Sequence, residues 1–283
     1  IAPIPEDTLW ICGTTQTVPE TLEQHEMPSV GFPQSGYYVC RDRDANHLVF
    51  DCGPHGFLNG GHAHADALAI VASVRGTPLL IDPGTATYTM DPARRDRFRS
   101  TAMHNTVVVG GRSQSQPRGP FHWLTRTDAH CRVWRPADPV DYVEGYHDGY
   151  APARHVRCVF AARRIGWIVI DHLVGPSHST PAAAMWHIDP QWSWARTSDR
   201  GVTLRTSDGR EASLAMSIPL RVVRDDDLQA FAPEYGRLTE ALCLTGEFDG
   251  TPACVATFIA ARAEWQANTV APLHVEAHPG EAG

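Results

Sequence analysis

The chain has 283 residues and a formal net charge of −8, and 42% of its residues are hydrophobic. This composition can bury a core and excludes wholesale disorder. An acidic balance argues against nucleic acid as a partner, because phosphate binding needs a basic surface. No stretch of about eighteen apolar residues is present that could span a membrane. All 24 basic residues are arginine, which excludes lysine-based chemistry such as Schiff-base formation.

The cysteines are scattered and odd in number. There are seven of them, and no two form a CxxC pair. This pattern argues against a full disulfide framework and against a four-cysteine zinc site. We therefore expect most of them to be small buried apolar residues.

In chain order, residues 1–30 are predicted to be an entry segment with a short helix at 19–27. From residue 31 onward, short apolar or alternating runs recur at a spacing of roughly ten residues, each bounded by Gly, Pro, Asp or Asn. One short helix is predicted at 92–98, and no helical period is sustained after residue 100. Strands are predicted at 37–41, 47–51, 68–75, 78–82, 105–110, 130–134, 154–160, 166–174, 182–188, 202–205, 212–218, 220–224, 238–244 and 253–260.

These elements predict an all-β protein. The expected fold is a large antiparallel β-sandwich over residues 31–270, with two packed sheets, a dozen or more strands and little helix. The tail at 271–283 is expected to fray.

The most informative segment for function carries two histidines and an aspartate, each separated from the next by one alanine: His62, His64 and Asp66. If the segment is extended, all three side chains point to the same face. Elsewhere, Asp82 ends an apolar run and His104 begins another. Two imidazoles and a carboxylate form an open zinc site, but spacing alone does not choose between the local set and one gathered from several strands.

Five runs, in this order and spacing, resemble the heparinase II/III-like polysaccharide lyases in their C-terminal β-sandwich part. They are Pro33–Tyr38, Phe50–Gly56, Gly61–Asp66, Asp82–Thr85 and Phe98–Asn105. The resemblance implies a partner, an N-terminal helical toroid domain, with the polysaccharide lying in the groove between the two domains. It also implies cleavage of anionic, uronic-acid-containing polysaccharide by β-elimination, in the periplasm or outside the cell.

The same resemblance assigns roles to residues. His62 is expected to be the catalytic histidine of the sandwich. His64, Asp82 and His104 are expected to bind zinc or another divalent cation, and Asp66 to support them. In the family, a tyrosine of the helical domain acts as base and acid. No helical toroid is apparent before Pro33, so we expect the isolated chain to be inactive.

Several further residues are candidates for contact with substrate. Tyr88 is a candidate catalytic residue that would contact the substrate from the sandwich side, and Asn105 could contact the sugar or orient His104. Arg97 and Arg99 lie in an arginine cluster that suits carboxylate or sulfate groups, although a solvated loop or an interdomain contact would carry the same residues. A homodimer is compatible with these features.

Two other functions remain open at this level. The His62 segment is also similar to the HxHxDH start of metallo-β-lactamase-fold hydrolases, but position 67 is alanine and no alternation of strands and helices follows. A non-catalytic carbohydrate-binding or scaffolding sandwich is the second alternative, because an isolated domain without the tyrosine base could bind without turnover.

Overall fold

The computed structural model describes residues 28–261, apart from the side chains of 177, 178 and 250–252. The predicted helix at 19–27, the rest of the entry segment before residue 28 and the tail at 271–283 lie outside the described residues. Within them, no helix is long and apolar enough to cross a membrane.

The described residues form nineteen strands, one short α-helix and one 3₁₀ turn. The strands are β1 (Val30–Phe32), β2 (Tyr37–Arg41), β3 (His47–Asp51), β4 (Ile70–Val74), β5 (Thr77–Leu80), β6 (Val107–Val109), β7 (Gln116–Pro117), β8 (Trp123–Thr125), β9 (His130–Arg135), β10 (Val140–Tyr150), β11 (Ala153–Ala162), β12 (Gly166–Ile188), β13 (Trp192–Arg196), β14 (Gly201–Thr206), β15 (Glu211–Met216), β16 (Leu220–Val222), β17 (Ala230–Glu234), β18 (Arg237–Glu240) and β19 (Leu242–Ala260). Helix α1 spans Pro92–Phe98, and the 3₁₀ turn spans Thr101–Met103. The predicted all-β sandwich with little helix is confirmed.

Two long strands join the layers of the sandwich. Strand β12 pairs with β11 along its first half and with β5 and β6 along its second half, and β19 pairs with β12 throughout. The sequence predicts four separate strands here, which is wrong. The turn residues near Gly175 mark shifts of register between Leu173 and Pro181 within one paired strand rather than a chain reversal.

The two layers face each other across a core, and they approach closely where β3 meets β10. Gly145 of β10 lies there with no side chain, and a Cβ at this position would come within 2.9 Å of Leu68 and 3.3 Å of Phe50. Both neighbours are fully buried. A larger residue would therefore push the layers apart, so glycine permits their close approach.

A buried ion pair joins two neighbouring strands within this core. Arg157 of β11 donates two hydrogen bonds to Asp171 of β12, from Nε at 2.7 Å and Nη2 at 3.1 Å, and both side chains are fully buried. The remaining terminal nitrogen, Nη1, donates to the backbone oxygens of Leu68 and Asn105 at 2.8 and 2.6 Å. Because its polar groups are paired, the charged guanidinium can be accommodated without water.

Two buried histidines, His147 and His155, connect to this ion pair through a chain of hydrogen bonds that all run in one direction. The backbone N–H of Gly149 donates to His147 Nδ1, so His147 must donate from Nε2 to His155 Nδ1 at 3.2 Å. His155 then donates from Nε2 to Asp171 Oδ1 at 2.7 Å. Burial, followed by neighbouring charges, lowers the pKa of His147. The chain therefore holds both imidazoles neutral, each with one donor and one acceptor nitrogen.

We predict that Asp171→Asn lowers the free energy of unfolding by about 3–5 kcal/mol, because it leaves a buried guanidinium without its counter-charge. Urea unfolding followed by circular dichroism measures this change. The matched control is Glu247→Gln, which breaks the solvent-exposed pair with Arg221 and should cost less than about 1 kcal/mol. Equal losses of unfolding free energy in the two variants would contradict the larger contribution that we assign to the buried pair.

Candidate functional site

The segment that carries the two histidines is an irregular loop between β3 and β4, not a strand. The expected alternation to one face therefore does not occur. His62 is exposed, whereas His64 is only 9% exposed and turns toward the interior. Two residues separated by one alanine thus lie in opposite environments.

Four side chains from three segments converge beside this loop. One nitrogen or oxygen from each lies within 4.8 Å of the other three, in the set His64, Asp66, Asp82 and His104. The structure therefore brings together residues of both sets that the sequence left open. His62 is outside this cluster, and Asp66, which the resemblance assigned only a supporting role, is inside it.

Asp82 and His104 are in direct contact. Nδ1 of His104 lies 2.6 Å from Oδ2 of Asp82, and the other carboxylate oxygen accepts from the backbone N–H of Gly84 at 2.8 Å. Burial alone would raise the pKa of Asp82, but the charge and hydrogen bond of His104 outweigh it and hold this pKa below its usual range. Asp82 is therefore an ionised carboxylate at neutral pH.

Helix α1 contributes a residue to the cluster that the sequence analysis missed. Arg95 places Nη1 3.2 Å from Nε2 of His64, and Thr85 Oγ1 lies 3.3 Å from the same nitrogen. Burial, with smaller contributions from the charges of His104 and Arg95, lowers the pKa of His64 to about 3. His64 is thus neutral, with a lone pair available as an acceptor or a metal ligand.

The cluster is rich in carboxylates. Burial raises the pKa of Asp66, and burial together with the nearby Asp66 raises the pKa of Asp51 at the end of β3. Tyr37 stands opposite Asp51 in the sheet, and the charge of that carboxyl group raises its pKa to about 12. Mutual repulsion among carboxyl groups at one place favours a bound cation.

The residues present fit a divalent metal ion. Nε2 of His104 is buried and has no hydrogen-bond partner within the described part of the chain. Two imidazole nitrogens and carboxylate oxygens form a donor set that suits zinc. If His64 were to bind through Nε2, the guanidinium of Arg95 would have to move off that atom.

His62 lies on the wall of an open groove of about 620 Å³ lined by the loop at 54–64 and by Tyr37, Asp51, Asp66 and Phe121. Its ring packs edge-to-face on Tyr88 at 5.5 Å between centroids. Tyr88 in turn stacks on Phe121 at 5.8 Å and on Tyr235 at 5.6 Å. The imidazole is therefore accessible and supported by a row of aromatic rings.

The structure does not agree with substrate contact by Asn105. This side chain is 1% exposed, and Nδ2 donates to the backbone oxygens of Ile70 and Ile81 at 2.8 and 2.9 Å. Its oxygen accepts from the backbone N–H of His187 at 2.6 Å. Asn105 is committed to joining three strand segments directly after His104 and cannot reach a sugar.

The expected role of Arg99 is also contradicted. Arg99 is fully buried, donates to Asp96 and to the backbone oxygens of Gly119 and Pro120, and lies over the ring of Trp123. It braces the loop at 119–123 and is not available to substrate.

Arg97 stands away from the groove that contains His62. It is paired with Asp225 at 2.9 Å, beside a separate depression on the other side of α1. The spacing of the arginines along α1 could have indicated this arrangement. Arg95 and Arg99 are four residues apart and share the buried helical face, whereas Arg97 does not.

By fold, the chain is an antiparallel β-sandwich whose groove is bordered by a cluster of histidines and aspartates. The profile of the family described as Heparinase II/III-like, C-terminal, matches residues 25–258, so the chain belongs to this family. A comparison with curated proteins finds no significant match.

Solved structures share the fold at low sequence identity. A heparinase III described as the BT4657 gene product aligns with a TM-score of 0.70 and 18% identity over 90% of this chain and 39% of its own. The heparan sulfate lyase HepC from Pedobacter heparinus gives 0.68 and 17% over 90% and 38%. Another heparinase III gives 0.69 and 16% over 82% and 36%. The chain thus spans well under half the length of these proteins.

We predict that Asn105→Ala lowers the free energy of unfolding by about 3 kcal/mol or more, because three buried backbone groups lose their partner. Urea unfolding tests this value. The matched control is Asn59→Ala, whose hydrogen bonds are exposed and whose loss should cost under about 1 kcal/mol. A near-neutral Asn105→Ala variant would show that these buried hydrogen bonds contribute little to holding the strand segments together.

Proposed function

We propose that this chain is the sandwich part of a polysaccharide lyase that cleaves a uronic-acid-containing polysaccharide by β-elimination. Membership of the heparinase II/III-like family supports this proposal. The observation that carries it is the position of His62, which is exposed on the wall of an open groove beside a buried cluster of metal-ligand type. The catalytic unit would include an N-terminal helical domain of the same protein, which closes the groove from the other side.

The chemistry sets requirements that His62 can help to meet. Removal of the C5 proton of a uronate places negative charge on the C6 carboxylate, and the C4 oxygen must leave with a proton. An accessible imidazole can donate a hydrogen bond to the carboxylate or accept the C5 proton, depending on its protonation state. Edge-to-face packing on Tyr88 limits the rotation of the ring and keeps it directed at the groove.

We also propose that the buried cluster binds zinc or another divalent cation through His64, Asp82 and His104. Asp66 is a fourth candidate ligand, since it lies within the same 4.8 Å set. When bound, the ion would supply a fixed positive charge behind the loop that carries His62. The residues themselves support the site through the unpartnered Nε2 of His104 and the ionised Asp82.

The substrate class follows from the family and from the names of the structural relatives. Heparan sulfate is the first polymer to test, because one relative is a heparan sulfate lyase. Alginate-like and bacterial exopolysaccharides also contain uronates and belong in the same panel. We further propose a periplasmic or secreted location, on the basis of the family resemblance.

We predict that His62→Ala lowers turnover by about 100-fold or more in the protein that includes its helical domain, because it removes the proton-transfer group of the sandwich. The ultraviolet absorbance of the unsaturated uronate product measures this loss. His130→Ala is the matched control, since His130 is exposed on β9 and does not line the groove.

Three outcomes separate this function from its alternatives. Unsaturated product in the wild type, with turnover lost only in His62→Ala, supports a lyase. Tight binding of the polymer with no product from the wild type would instead indicate a carbohydrate-binding sandwich. Saturated products formed with uptake of water would indicate a hydrolase.

We predict that His64→Ala, Asp82→Asn and His104→Ala each lose most of the zinc that the wild-type protein retains after dialysis, because each removes a ligand. Inductively coupled plasma mass spectrometry measures the metal content. His62→Gln is the matched control and should keep its zinc. Removal of the metal by a chelator should lower the thermal midpoint, since ligation holds separate segments together. Full metal content in His64→Ala would show that the ligand assignment is wrong.

A further inference from the structure

Two cysteines meet in the core below the candidate groove. Cys52 directly follows β3 and is 3% exposed, and Cys131 lies in β9 and is partly buried. They come from the two facing layers of the sandwich. The proposed catalytic and metal-binding functions do not use either thiol.

The position of Gly145 brings these two residues together. In the pairing of β9 with β10, Cys131 stands directly opposite Gly145. Residues directly opposite each other in an antiparallel pair direct their side chains to the same face, with Cβ atoms about 5 Å apart. A Cβ built on Gly145 would overlap Cys52 Sγ. The sulfur of Cys52 therefore occupies the space next to the side chain of Cys131.

The pKa values of the two thiols reflect this proximity. Among the neighbouring groups, each thiol has the largest effect on the pKa of the other, and the hydroxyl of Tyr38 contributes to that of Cys131. The pKa of Cys131 is lowered to about 6. The interaction with Cys52 is the largest cause, and the interaction with Tyr38 acts in the same direction. Burial opposes both of them. The same contact raises the pKa of Cys52, so Cys131 is the thiol of the pair that loses its proton first, and the thiolate is the nucleophilic form.

The other cysteines of the described residues lack such an arrangement. In the strand pairings, Cys40 stands opposite Leu48, Cys243 opposite His187 and Cys254 opposite His172. Cys158 stands opposite Glu144 and Ile170. None of these pairings places one cysteine beside another.

We propose that Cys52 and Cys131 form a reversible disulfide when the protein meets an oxidising disulfide of low molecular mass. The Cys131 thiolate attacks one sulfur of the oxidant, and the other half of the oxidant leaves as a thiol after taking up a proton. Cys52, as its thiolate, then attacks Cys131 in this mixed disulfide, and the second half of the oxidant leaves as a thiol. The two protein thiols thus lose two electrons and two protons in total, and the oxidant gains both.

The disulfide would close a loop of the chain that contains the histidines and aspartates of the candidate site. His62, His64, Asp82 and His104 all lie between residues 52 and 131 of the chain. A cross-link over so long a loop restricts the unfolded chain strongly. It would also tie the end of β3, from which the groove loop departs, to the opposite layer.

Peptide mapping tests this proposal on the full chain. The reduced protein is incubated with oxidised glutathione, denatured, alkylated and digested with trypsin, which cleaves after arginine. Cys52 then lies in peptide 44–75 and Cys131 in peptide 127–132, and each peptide holds only one cysteine. We expect these two peptides to be recovered linked, two hydrogens lighter than their sum. Cys131→Ser should abolish the link, and Cys254→Ser should retain it.

Other outcomes would overturn the proposal. These are recovery of both peptides in alkylated form, capture of Cys131 only as a mixed disulfide with glutathione, or linkage of peptide 44–75 to a different cysteine. Urea unfolding provides a second measure that does not depend on peptide recovery. Oxidation should raise the unfolding midpoint of the wild type and of Cys254→Ser, and should leave that of Cys131→Ser unchanged. An equal rise in all three proteins would also contradict the proposal.

Discussion

The buried ion pair between Arg157 and Asp171 supports both the fold and the candidate site. A charged guanidinium inside a protein needs nearly every N–H group paired, and here two of its partners are the backbone oxygens of Leu68 and Asn105. Leu68 follows Asp66 on one segment, and Asn105 follows His104 on another. One buried charge in the opposite layer therefore determines how far apart these two segments lie. The candidate metal-binding cluster depends on the distance between the two segments, because Asp66 comes from one of them and His104 from the other.

Much of the fold could be predicted from the sequence, and its failures have physical causes. Strands β2 and β3 have the predicted bounds because alternating residues are bounded by clear turn residues. Strand β10 was missed because its first four buried positions are Asp141, Val143, Gly145 and His147, and only the valine among them is apolar. Close contact and buried hydrogen bonds replace the usual apolar pattern there, and no periodicity in the sequence reports either of them.

The candidate site was predictable only in part for a related reason. Motif order identified His64, Asp82 and His104, which the structure brings together with Asp66. The expected contact of Arg99 with substrate was wrong, because Arg99 is fully buried, as is Arg95. Of the two roles expected for Asn105, contact with the sugar was wrong, because a polar residue next to a site does not always face the ligand. Its hydrogen-bond partners are backbone groups of three other segments, which are defined only by the tertiary structure.

His62 and His64 lie in different environments, and the proposed function gives each of them a different role. The loop between β3 and β4 is irregular, and hydrogen bonds such as that from the Ala65 N–H to the Arg99 backbone oxygen, at 2.9 Å, hold it in place. His64 turns inward to the cluster, and this turn leaves His62 on the groove wall. In the function proposed above, His64 would help to hold the cation and His62 would face the sugar, so the loss of one of these roles would not directly remove the other.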